Sequence, residues 1–253
     1  MMKTARVLFL VVAIVTVMVE YPFCADTDTS SQQAEKAPQG RDAPWHPEQA
    51  AETAKPPIIR KLSEGVFQVG DVTVNKPLGL VRLAGEINMD QGLVEYLACG
   101  PLGKLHESVL VLHAQPYHLQ VALLLLGLEP GDKPLSHQGA EETPQGDPVE
   151  IRVSWKTPDT KTMDERAEAL IQDHRTQKPM QRTDWVYTGS QIIDGKFMAQ
   201  LEQSIVATYH DPYAMFDHPL STGTDDTLYY VNQQLVPPKG TPVTMTIKPI
   251  PIK

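Results

Sequence analysis

Apolar and polar residues alternate in short stretches from residue 58 onward, and this pattern predicts a chain built mainly of strands. Residues 66–74, VFQVGDVTV, alternate with period two and are interrupted by Gly70-Asp71, which predicts a hairpin or two short strands. Residues 80–89 and 93–98 also look extended, joined by the turn signal Asp90-Gln91-Gly92. A Gly- and Pro-containing loop covers 99–104, and SVLVLH at 108–113 resumes a strand. Pro116 then opens a helix, where a missing N–H costs nothing. Residues 117–126 continue it, with Gly127 placed to cap it and Pro130 to stop it. Because 121–126 are apolar on every side, this helix is expected to be the buried spine of the domain. A buried strand over 121–126 is the alternative.

Residues 135–147 form a polar loop, and VEIRVSW at 149–155 is an alternating strand. Thr162-Met163-Asp164-Glu165 carries a capping-box signal, so a second helix is expected to run to about residue 176 with Met163, Ala167 and Leu170 as its apolar stripe. Further strands are expected at 184–188, 196–200, 204–209, 227–232 and 243–247, separated by Gly and Pro turns. Together these elements predict one α+β domain over 58–253, with a mostly antiparallel sheet and two main helices.

The first 57 residues follow other rules. Lys3 and Arg6 precede a short apolar run, VLFLVVAIVTVMV at 7–19, that ends at Glu20-Tyr21-Pro22. That layout predicts a signal peptide over 1–25, cut after Ala25, since a membrane span needs about 20 apolar residues. An uncleaved anchor is one alternative, and lipidation at Cys24 is another, although Tyr21, Pro22 and Phe23 are bulky where a lipid-attachment motif wants small residues. Residues 26–57 are polar and rich in Asp, Glu, Ser, Gln, Ala, Thr and Pro. They predict a disordered linker. The chain is thus expected to be exported, to the periplasm or the cell envelope, with membrane contact only if the leader stays attached or is lipidated.

The formal charge of −9 with no basic run longer than two residues argues against a nucleic-acid partner, whose phosphates require clustered Lys and Arg. Of the two cysteines, cleavage would remove Cys24 and leave Cys99 alone, without a disulfide partner or the thiolates for a metal cluster.

Two groups of residues offer chemistry. Cys99 with His106, Glu107 and Ser108 is a candidate nucleophile and base, since an imidazole can take the thiol proton. The plainer alternative is a buried thiol beside an exposed histidine. His106-Glu107 does not continue as a zinc-protease helix, because position 110 is Leu110. His106, His113 and His118 would have to converge from a strand and a helix to share a metal. The second group, His210, Asp211, Asp217, His218, Asp225 and Asp226, sets four carboxylates and two imidazoles in a turn-rich stretch. Oxygen-rich loops can hold calcium, although the EF-hand spacing is missing. These acids can equally cap turns by accepting backbone N–H groups. Trp185, Tyr187, Tyr209, Tyr213, Tyr229 and Tyr230 either line a ligand groove or fill the core. No phosphate-binding loop, dinucleotide fingerprint or nucleophile elbow occurs.

Three stretches together resemble a known family: AGEINMDQGLVEYLACGPLGKLHESVLVLHAQPYHLQVALLLLGLEPG at 84–131, DWVYTGS at 184–190 and SIVATYHDP at 204–212. They look like the YdjY-domain proteins, which the resemblance describes as exported bacterial proteins without an assigned biochemical activity. The likeness covers about 58–253. Some relatives carry ferredoxin-like cysteine clusters, which implies a redox-accessory setting, but Cys24 and Cys99 cannot build one. The family supplies no catalytic residues to carry over. The expected function is a non-enzymatic module that binds a small ligand or an envelope protein. A hydrolase-like enzyme using Cys99 and His106, or a metal held within 210–226, is the alternative.

Overall fold

The alternation at 66–74 becomes two antiparallel strands that turn at Gly70-Asp71, as the pattern predicts. In this computed structural model, which describes residues 58–251, they belong to a meander of β1 (Ile59–Ser63), β2 (Val66–Val69), β3 (Val72–Asn75) and β4 (Leu80–Ile87). The leader expected at 1–25 and the linker expected at 26–57 lie outside the described residues. The chain continues through β5 (Tyr96–Cys99), β6 (Ser108–Leu112), helix α1 (Pro116–Leu126), β7 (Asp147–Lys156), β8 (Thr162–Arg166), β9 (Ile171–Asp173) and β10 (Lys178–Pro179). It ends with β11 (Trp185–Tyr187), β12 (Ile192–Ile193), β13 (Lys196–Phe197), helix α2 (Met198–Glu202), β14 (Ser204–Ala207), β15 (Phe216–Asp217), β16 (Tyr229–Val231) and β17 (Pro242–Pro249).

Eight of these strands form a ring in the order β4, β17, β7, β11, β15, β14, β5, β6, and β6 pairs back onto β4. The fold is therefore mostly β with a closed eight-stranded barrel, and the expectation of an α+β domain is corrected. Closure depends on β4. One of its edges pairs with β17 along Val81–Glu86, while the other pairs first with β3 through Leu80–Leu83 and then with β6 through Gly85–Ile87. Gly85 stands where the partner changes, and a Cβ there would lie 2.4 Å from the Val111 carbonyl oxygen. Only a residue without a side chain lets β6 come that close. A barrel of this size has an interior that side chains can fill. Period-two burial supplies them: Val149, Ile151 and Val153 on β7 and Val243, Met245 and Ile247 on β17 join one apolar cluster.

The helix opened by Pro116 forms as expected. It ends at Gly127, whose φ of 99° is left-handed and whose N–H donates to the carbonyls of Leu123 and Leu124. It is not the spine of the domain, however. It packs on β2, β3 and β4 through one face that includes Leu119, Ala122 and Leu123, and Leu124 is half exposed.

The second expected helix is also corrected. Thr162–Arg166 extends along β7 with Trp155 opposite Met163 and Arg152 opposite Arg166. Ala167–Leu170 then makes a single 3-10 turn into β9. Tertiary partners override the capping signal here. The Arg166 guanidinium bonds to Glu150 on β7, to Glu168 and to the Thr183 carbonyl, which holds this segment extended against the barrel. The other helix, α2, forms where a strand was expected, with the Ser190 hydroxyl accepting from the Ala199 N–H. Among the described residues, no helix is long and apolar enough to cross a membrane.

Candidate functional site

β14 and β15 lie parallel, with Val206 opposite Phe216, and only residues 208–215 join them. Parallel neighbours ordinarily need a crossover of about a dozen residues or more, usually a helix. A link this short must satisfy its backbone groups off the strand ladder. Thr208 and Tyr209 N–H donate to the Glu95 carbonyl, and His210 N–H donates to the Gly223 carbonyl. Asp211 N–H donates to Asp217 Oδ2 at 2.9 Å, and His218 N–H donates to Asp217 Oδ1 at 2.7 Å. The His-Asp and Asp-His pairs therefore stitch the link from within, and His210, Asp211, Asp217 and His218 are all buried. Their carboxylates accept backbone N–H groups as turn caps do, but they do so inside the protein.

Three of these side chains converge. Donor atoms of His210, Asp217 and His218 all lie within 4.8 Å of one another. His210 Nδ1 is 2.7 Å from the Ala140 carbonyl oxygen, and its Nε2 is 3.0 Å from the His218 carbonyl oxygen and 3.8 Å from Asp217 Oδ1. Both ring nitrogens thus face atoms that only accept hydrogen bonds. Room for the ring comes from Gly223, where a Cβ would lie 2.1 Å from Nε2.

His218 Nε2 is 2.9 Å from the Thr208 carbonyl oxygen, which assigns the ring hydrogen to Nε2. Nδ1 is left as a buried acceptor with no hydrogen-bond partner among the described residues. Burial pushes the imidazolium form of His218 down to about 4, so the ring is neutral near pH 7. The rings of Trp185 and Tyr229 stand nearly perpendicular to it, with ring centres 5.8 and 6.1 Å away. Burial pushes the Asp217 carboxyl up to about 7, against the opposing pull of His210 and the two backbone donors.

Asp211 links this cluster to the surface. Its Oδ2 accepts from the Tyr96 hydroxyl at 2.8 Å, and Lys104 Nζ lies 3.2 Å from that hydroxyl and 5.2 Å from the centre of the Tyr96 ring. Lys104, His137, Gln138, Glu202, Asp211 and Tyr213 line a cavity of about 370 Å³. Burial raises the Glu202 carboxyl above the usual range, and Lys104 opposes the shift.

The structure separates the other candidates. Cys99 is fully buried on β5, and burial pushes its thiol up to about 12, far from the reactive thiolate. His106 is 74% exposed and faces Glu107, so Cys99, His106 and Glu107 do not assemble as nucleophile and base. His106 and His113 are exposed while His118 is buried on α1 near Gly70, and the three do not converge. Asp225 caps a surface turn by accepting from the Thr227 N–H and hydroxyl, and Asp226 is exposed. Neither joins the buried cluster. Trp185, Tyr187 and Tyr229 are core residues, whereas Tyr213 lines the cavity. Sequence reasoning missed Tyr96 and Lys104, which lie more than a hundred positions before His210, and Glu202, which sits between two expected strands with no motif of its own. The one available signal was SIVATYHDP itself, where charged residues continue an apolar strand without a polar break.

No curated protein and no solved structure matches the chain. A family model described as the YdjY domain matches residues 72–248, from the start of β3 into β17, and so takes in the whole barrel circuit, the cavity and the buried cluster. The chain belongs to the YdjY-domain family.

Proposed function

We propose that this protein is an exported, non-enzymatic binding module that takes a small polar ligand in the cavity beside β5, α2 and β14. The observation that carries this reading is the convergence of side chains from separate segments, Lys104, Gln138, Glu202 and Asp211 among them, on one cavity of about 370 Å³. Binding sites of this kind use a few placed polar groups on a rigid frame. Here Asp211 is fixed by Tyr96 and by the Tyr213 N–H, so the wall is organised before a ligand arrives. Lys104 offers a cation, and Glu202 and Asp211 offer acceptors, which suits a ligand with both donors and acceptors. The buried, proton-bearing Cys99 and the exposed His106 give the hydrolase reading no support. The acidic chain and the predicted leader support an envelope location without a nucleic-acid partner.

The test is a thermal-shift screen of small polar compounds (sugars, amino acids, carboxylic acids), followed by titration calorimetry. A ligand that binds wild type and binds Lys104→Ala and Glu202→Gln at least tenfold more weakly supports the reading. If every compound that binds does so equally in both variants, the cavity is not the site. If compounds are turned over rather than bound, the module is an enzyme.

A further inference from the structure

We propose that His210, Asp217 and His218 form a buried binding site for one divalent transition-metal ion of the zinc class. The argument starts from the orphan acceptor. His218 Nδ1 is fully buried, carries a lone pair and has no hydrogen-bond partner among the described residues. Leaving such an atom unpaired is costly, and a cation beside it removes the cost. A second observation is the convergence of the three residues, whose donor atoms lie within 4.8 Å of one another. His210 Nε2 faces the His218 carbonyl oxygen at 3.0 Å and Asp217 Oδ1 at 3.8 Å, so electron-rich atoms surround one point. Positive charge belongs there.

The surrounding atoms already orient both rings. In metal sites the second ring nitrogen of a ligating histidine usually donates to a carbonyl or carboxylate, which fixes the tautomer that presents the first. His210 Nδ1 has the Ala140 carbonyl, and His218 Nε2 has the Thr208 carbonyl. Asp217 is held by two backbone N–H groups. Two imidazoles and one carboxylate favour zinc or cobalt over calcium, which takes oxygen ligands. The calcium expectation for this stretch is therefore replaced, and Asp211, Asp225 and Asp226 are left out of the ligand set. All three proposed ligands are fully buried or nearly so. The ion's role is thus structural. It ties both ends of the 208–215 link together beneath Asp211, which lines the cavity.

The experiment uses the full chain, stripped with chelator and dialysed, then exposed to Zn²⁺ or Co²⁺. The expected result is one equivalent of metal per chain, visible cobalt bands of a four-coordinate nitrogen and oxygen site, and a melting temperature higher by roughly 5–10 °C at saturating Zn²⁺. His218→Gln and the near-isosteric Asp217→Asn should each weaken metal binding at least tenfold. Circular dichroism would show whether each variant is folded, and Asp217→Asn serves if His218→Gln is not. A folded wild-type chain that takes up no Zn²⁺ and shows no melting shift overturns the proposal. Stoichiometric uptake that is unchanged in both folded variants overturns it as well, because the ion would then lie elsewhere.

Discussion

The Tyr96 hydroxyl donates a 2.8 Å hydrogen bond to Asp211 Oδ2, joining β5 to the short link between β14 and β15 across 115 positions of sequence. Both residues are buried, Tyr96 completely. The bond therefore fixes the cavity wall and shields a carboxylate that has little access to water.

Tyr96→Phe should test that bond with little change in shape. It leaves one oxygen of a buried carboxylate without its donor, so the folded state should lose about 1–3 kcal/mol. Urea denaturation would show this as a lower midpoint with an unchanged slope. An unchanged midpoint would mean that water replaces the hydroxyl.

Gly85→Ala should damage barrel closure. The new methyl would stand 2.4 Å from the Val111 carbonyl oxygen and 2.8 Å from a Leu112 methyl, so backbone has to move. The expected loss is about 1–3 kcal/mol, as for other overpacked sites. Hydrogen exchange would place the loss by faster exchange of the β4 and β6 amides.

Arg166→Met should be worse than either of these. Arg166 is 12% exposed and holds Glu168, which is 3% exposed, so removing the cation leaves a buried carboxylate that keeps the Thr183 N–H as a donor but loses its counter-charge. Breaking a buried pair from one side costs about 3–5 kcal/mol. Arg166→Met combined with Glu168→Leu should recover part of that loss in the same denaturation assay. A double variant no more stable than the single would show that Glu168 keeps other compensation.

Cys99 gives a pH test with a definite sign. Its thiol stands at about 12 in the folded chain and 9.0 otherwise, so the stability from burying the neutral thiol is complete below pH 9 and is lost as pH rises toward 12. At pH 10.5 that loss is about 2 kcal/mol, or ~1.5 pK units at 1.36 kcal/mol each. Buried Tyr96 and Tyr187, whose hydroxyls are also raised by burial, act in the same direction. Between pH 8 and pH 10.5, Cys99→Ala should lose about 2 kcal/mol less than wild type. Alkylation of wild-type Cys99 at neutral pH should be slow until denaturant is added. Fast labelling of the native chain would contradict its burial.

Local pattern revealed local structure. The period-two runs at 66–74 and 149–155 and the Pro116 to Gly127 frame each yielded an element of the right kind, because their causes lie within a few residues. The barrel was hidden because its seams join distant segments. β4 and β5 sit on opposite edges of β6 and do not pair with each other across Asp90-Gln91-Gly92, and no local signal announces a parallel pair such as β5 with β6. Residues 162–173 carry a local helix signal that a distant partner defeats, since Glu150 holds Arg166 from the neighbouring strand. The candidate cluster was half legible. Residue types singled out His210, Asp217 and His218, but the same argument also admitted Asp225 and Asp226, because sequence does not distinguish a carboxylate buried under a link from one on a surface turn.

The position of β17 governs when the barrel can form. This strand lies between β4 and β7 and pairs with both along most of its length, so the ring stays open until it is in place. Until it arrives, β4 and β7 each present an unpaired edge, and the pairings it makes reach back by between 88 and 166 positions. Such topologies fold slowly and leave strand edges open to other chains in the meantime. A chain in which β17 has not yet docked therefore depends on whatever guards its open edges.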